Sequence, residues 1–198
     1  MLKISRNLKK ILLKNKGFTL VEVLLSLIIL MLSTTIIIQC FNLGMANVIK
    51  QTRSSQAQLL CSALTSSLQN ELTYARDIKL TREKLDTYYS SSRGMGENCR
   101  IVVNSGEIKI KSGDNEYPLV SSANYLATNR AGVNQGEYFL KAYLAEIKWI
   151  DDDNEKGFDV IIWVDDGSRV VPLTADEAEE TALAYSHFRV KPLAPVRK

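Results

Sequence analysis

The sequence predicts an α+β chain: a long N-terminal helix, apolar at its start and amphipathic further on, packed on a small antiparallel sheet. Three observations predict it. Residues 18–41 are apolar apart from scattered Ser, Thr and Gln and one charged side chain, Glu22. From Gln51 onward, Ala57, Leu60, Leu64, Leu68, Leu72 and Ala75 recur every three or four residues, the spacing of one helical face. Beyond residue 98 the pattern turns to alternation, and residues 100–103 and 107–111 flank Asn104-Ser105-Gly106 as the arms of a hairpin.

The first element is set by charge. Residues 1–16 hold Lys3, Arg6, Lys9, Lys10, Lys14 and Lys16 and no acid, which fixes the cytoplasmic side of the run that follows. An apolar stretch of about 20 residues spans the roughly 30 Å hydrocarbon core as a helix. A carboxylate in that core is costly, so Glu22 reads as functional and needs a partner. An ordinary secretory signal is cut at small residues after its apolar region. No such site follows here, and Gly17 lies in front of the run instead. Cutting between Gly17 and Phe18 removes the basic segment and leaves the apolar helix. It also creates an ammonium group on Phe18, four residues before Glu22, within one chain or between neighbouring chains.

From Lys16 to about Cys40 this arrangement resembles the class III signal of type IV prepilins and type II secretion pseudopilins. The resemblance implies a pilin-like fold, cleavage after Gly17 by a prepilin peptidase, N-methylation of Phe18, and a Glu22 that guides subunits into a helical filament. It implies other pilins or pseudopilins and an inner-membrane assembly platform as partners, and no cofactor. The expected location is the cytoplasmic membrane, single-pass, and then a cell-surface or periplasmic filament. Many family members close a C-terminal loop with a disulfide, whereas this chain has no cysteine after Cys99. Its large, irregular head suits a minor subunit. The alternative is an adhesin-like or DNA-binding pilin whose head touches a surface or nucleic acid directly. Apolar helices in lipid gain little from the hydrophobic effect, so a polar pair can decide their register. Glu22 also suits the positive end of the helix dipole.

The expected divisions are a leader at 1–17, a membrane or filament-core helix at 18–41, its amphipathic continuation at 42–78, and a globular head at 79–198. With no proline before Pro118, the helix is expected to run from Phe18 to Ile78, about 90 Å at 1.5 Å per residue. Gly44 and Ser33-Thr34-Thr35 are the expected places for a bend. Gln56, Gln58, Ser62, Ser66, Gln69 and Glu71 are read as its polar surface. Residues 79–98 read as a loop, residues 138–150 and 158–164 as a second hairpin around 151–157, and residues 169–173 as a short strand. Thr174 and Glu177 match a capping box opening a helix to about Tyr185. The tail with Pro192 and Pro195 reads as irregular.

Removing the six basic residues of the leader from the formal charge of +3 leaves −3, so global charge gives no support to nucleic-acid binding. Cys40, Cys61 and Cys99 match no zinc or redox spacing. Cys40, at the outer end of the apolar run, reads as a packed small apolar side chain; free buried thiols are the expectation for Cys61 and Cys99, with a Cys61–Cys99 bridge as the alternative. His187 is the only histidine and lacks a nucleophile or second histidine, which argues against an enzyme. Asp151, Asp153 and Glu155 are weak calcium candidates, since they lack EF-hand spacing, and a solvated turn is the plainer reading. Asp165-Asp166-Gly167 reads as a strand-ending turn. Trp149 and Trp163 read as packing residues, and Arg189, Lys191, Arg197 and Lys198 as a solvated basic end.

Overall fold

The computed structural model describes residues 19–128, 137–152, 155–167 and 173–197. The chain divides into two compact units whose boundary falls between Ala46 and Asn47. Helix α1 (Leu20–Tyr74) begins in the first and ends in the second.

In the first unit, α1 exposes Leu and Ile side chains on all sides, from Leu20 and Val21 to Ile37, Phe41 and Leu43. A helix apolar all round suits lipid or the packed interior of an assembly. It is long and apolar enough to cross a membrane. The helix is continuous through Gly44 and through residues 33–35. Ser33, Thr34 and Thr35 instead return their hydroxyls to the carbonyls of Ile29, Leu30 and Met31 at 2.8, 2.5 and 2.8 Å. That removes their polarity from an apolar surface.

In the second unit, the amphipathic stripe becomes core. Ala57, Leu60, Cys61, Leu64, Leu68 and Leu72 are buried against strand residues such as Ile78, Tyr88, Ile108, Phe158 and Ile162. The strands are β1 (Arg76–Thr81), β2 (Lys84–Ser90), β3 (Gly96–Asn104), β4 (Glu107–Ser112), β5 (Asn115–Pro118), β6 (Leu126–Thr128), β7 (Glu137–Phe139), β8 (Lys141–Leu144), β9 (Lys148–Asp152), β10 (Glu155–Asp165), β11 (Ala184–Val190) and β12 (Val196–Arg197). The main sheet runs β11-β10-β9-β2-β3-β4-β5, with β8 also on β10 and β1 on β2; β6 and β7 pair separately. All these pairings are antiparallel except β1 with β12.

The first hairpin stands where the sequence places it. Asn104 faces Glu107, and Ser105 and Gly106 take φ of 55° and 80°, the left-handed pair a type I′ turn demands. A Cβ on Gly106 would lie 2.6 Å from Lys141 Cγ, so this glycine is needed for space as well as conformation. The second hairpin is tighter than expected. Asp152 pairs with Glu155, so the strands reach into the segment read as the turn, and the segment read as one arm divides into β7, β8 and β9.

Four expectations are corrected. Helix α1 ends at Tyr74, not Ile78, because residues 76–81 find ladder partners in β2 and β12. Residues 79–98 are not a loop: they hold the end of β1, all of β2, a 3-10 turn at Ser92–Gly94 and the start of β3. Helix α2 (Ala175–Thr181) has both hydrogen bonds of its Thr174–Glu177 capping box but stops short of Tyr185. Residues 184–190 instead form β11, placing Tyr185 opposite Trp163 on β10. The tail is not wholly irregular, since Leu193 N–H donates to Thr73 O at 2.9 Å and β12 joins β1. The strand expected at 169–173 lies largely outside the described residues, and Leu173 is not in a strand.

Candidate functional site

The site marked by the sequence is the start of α1. Thr19 caps it: the Glu22 amide donates to Thr19 O at 2.9 Å and faces Thr19 Oγ1 at 3.3 Å, and the Val23 amide reaches Thr19 O at 3.2 Å. This fixes Glu22 in the first turn, where the unpaired amides concentrate positive potential. Its immediate neighbours Leu20, Val21 and Val23 are exposed apolar side chains. Gly17 and Phe18, the expected cleavage pair, lie outside the described residues.

The remaining candidates are dispersed. Cys61 and Cys99 are both buried free thiols, so the alternative of a bridge is not realised; Cys40 is exposed rather than packed. Burial raises the Cys61 thiol to about 11, opposed by its hydrogen bond with Thr65. Cys99 Sγ donates to Gly96 O at 3.4 Å. His187 Nε2 lies 2.9 Å from Asp159 Oδ1, which Arg189 Nε approaches at 3.7 Å, a surface charge cluster on adjacent strands. Asp151 pairs with Lys156 at 3.0 Å across β9 and β10. Asp153 and the Glu155 side chain lie outside the described residues, as does Lys198. Among the described residues no group of three His, Cys, Asp or Glu side chains is placed to hold a metal ion. The tryptophans pack against sheet neighbours: Trp149 meets Phe158 edge-on at 5.0 Å and Trp163 stacks on Tyr143 at 5.7 Å.

One cluster escaped the sequence reading. Glu71, expected on the polar surface, is only 6% exposed. Its Oε2 accepts from Ser92 Oγ at 2.5 Å, and its carboxyl group is the hydrogen-bonding neighbour of the buried Tyr88 hydroxyl. Burial pushes the Tyr88 hydroxyl far up, and the Glu71 carboxylate pushes it further. The signal was present: Glu71 lies three residues after Leu68 and seven after Leu64, on the apolar stripe itself.

Residues 12–38 match the family model of the prokaryotic N-terminal methylation motif, the class III signal of type IV pilins. The match takes in Gly17, Phe18 and Glu22 and stops within the apolar part of α1. This motif supports a place among type IV pilin-like proteins, with processing by prepilin peptidase, membrane anchoring and assembly with other pilins. No curated protein and no solved structure matches the chain.

Proposed function

We propose that this chain is a minor pilin or pseudopilin, cleaved after Gly17, methylated on Phe18 and drawn into a helical filament through Glu22. The observation that carries this reading is an acid in the first turn of an exposed apolar helix, inside a methylation motif and four residues after Phe18. Desolvating either charge alone is expensive, and pairing Glu22 with the Phe18 ammonium of a neighbouring subunit offsets both penalties. The pair therefore selects one register among many equally apolar ones. In this reading the role is assembly and display rather than catalysis, and the head is carried on the filament's surface or tip.

The test compares wild type with Glu22→Ala in the native host. The variant is expected in the membrane fraction at normal level, processed, and missing from sheared filaments. Normal incorporation of Glu22→Ala overturns the proposal.

A further inference from the structure

The path β11-β10-β9-β2-β3-β4-β5 of the main sheet ends on β11 and on β5, and the two ends are built differently. β5 is four residues long and closes on Pro118, a short edge that resists pairing with another chain. β11 has seven residues and no proline. It matches β10 without a bulge, from Val190 opposite Phe158 to Ala184 opposite Val164. The cations that could guard it, His187 and Arg189, are drawn towards Asp159 of β10, at 2.9 and 3.7 Å.

The ladder also fixes which groups the open side presents. Along a strand, the N–H and C=O of successive residues point to alternate sides. Ala145 N–H, just beyond β8, donates to Ile161 O at 2.9 Å, so the Ile161 backbone is turned away from β11. His187 stands opposite Ile161, and Tyr185 lies two residues earlier in the same phase. Both therefore direct N–H and C=O to the open side, and among the described residues neither finds a partner there. A cleft of about 460 Å³ adjoins this edge, with Ser186 on one wall and Gln58, Ser62 and Ser66 of α1 on the other. Donor and acceptor pairs repeating every second residue are complementary to another extended backbone, and short polar side chains leave room for one.

We propose that the open edge of β11 takes up an extended segment of a neighbouring filament subunit as a further strand of the sheet. That segment is not a second β11. α1 runs beside β11 in the same direction, since Thr65 Oγ1 donates to Ser186 Oγ at 3.0 Å and Thr73 O accepts from Leu193 N–H at 2.9 Å. An antiparallel pair of β11 strands would set the two α1 segments in opposite directions, against the shared polarity of filament subunits. The source of the strand rests on the filament reading, whereas the open edge does not.

The test places the photo-crosslinker p-benzoylphenylalanine at position 187, or at position 116 on β5, of the full-length chain in its native host. Products in sheared filaments are mapped by mass spectrometry. Position 187 should join one contiguous segment of a neighbouring subunit, and position 116 should not. His187→Pro supplies a second arm, because it removes only an outward N–H. The melting temperature should then stay near that of wild type, whereas Ser186→Pro, which takes a ladder bond from β10, should lower it. With the crosslinker at position 185, His187→Pro should cut the product by about tenfold, the effect of one lost hydrogen bond. No product from position 187 in chains that have entered filaments, a product joining two β11 strands, or a yield unchanged by His187→Pro overturns the proposal. So does a melting temperature lowered as far by His187→Pro as by Ser186→Pro, since position 187 would then face β10. Wild-type chain missing from filaments sinks the filament reading instead, and the assigned source of the strand with it.

Discussion

Helix α1 carries two glutamates, Glu22 and Glu71, and they occupy opposite situations. Glu22 is exposed in the first turn among apolar side chains that are themselves exposed. Glu71 is buried in the last turns, where the Ser92 hydroxyl donates to it and the Tyr88 hydroxyl lies against it. The difference teaches how context makes an acid legible. A charge in an apolar run is conspicuous in one dimension, whereas a charge in a mixed run becomes unusual only when its helical phase is followed.

The largest expected effect would break the pairing at Glu22. Glu22→Gln keeps the side chain's size and hydrogen bonding but removes its charge, and should cut filament incorporation by at least about tenfold if charge sets the register. Incorporation equal to wild type would assign the role to hydrogen bonding instead. Truncations sharpen the contrast between the two parts of the helix. Leu64→Ala and Leu68→Ala, at fully buried positions, should each cost about 2–5 kcal/mol in denaturant titrations of the detergent-solubilised chain. Leu25→Ala, at an exposed position, should shift the head's unfolding by less than about 0.5 kcal/mol.

Smaller effects test the head's local chemistry. Gly106→Ala combines a left-handed backbone with a collision against Lys141, and should cost about 1–3 kcal/mol. Thr174→Ala removes the cap of α2 and should cost about 1 kcal/mol. Alkaline pH probes the buried acids of the head. The folded pKa of Cys61 is raised from 9.0 to about 11, and that of Tyr125 from 10.0 to about 12, both chiefly by burial. Each group's stabilising contribution is complete below its unfolded pKa. Above that value the unfolded chain releases the proton first, so stability should fall as pH rises from about 9 towards 12. Cys61→Ser should flatten the lower part of that fall.

Two turns show why only part of the head could be read from the sequence. Ser105-Gly106 and Arg82-Glu83 are both two-residue links with positive φ at each position, joining β3 to β4 and β1 to β2. The first contains glycine after Asn104 and was legible. The second is built from two charged residues with no conformational preference for that region, so the hairpin it closes was mistaken for a loop. Residues 184–190 followed a capping-box helix closely enough to look like its continuation, and only pairing with β10 makes them a strand. A two-residue strand such as β12 depends wholly on β1 and has no local signature. By contrast, the stripe from Ala57 to Leu72 and the apolar run around Glu22 follow from periodicity and composition, which need no distant partner.

The central claim is that proteolysis exposes the amino group that Glu22 awaits. Mass spectrometry of the protein isolated from its native host tests it most directly. The account predicts an N-terminal peptide that begins at Phe18 and carries one added methyl group. A chain that retains Met1, or one trimmed anywhere other than between Gly17 and Phe18, would contradict it.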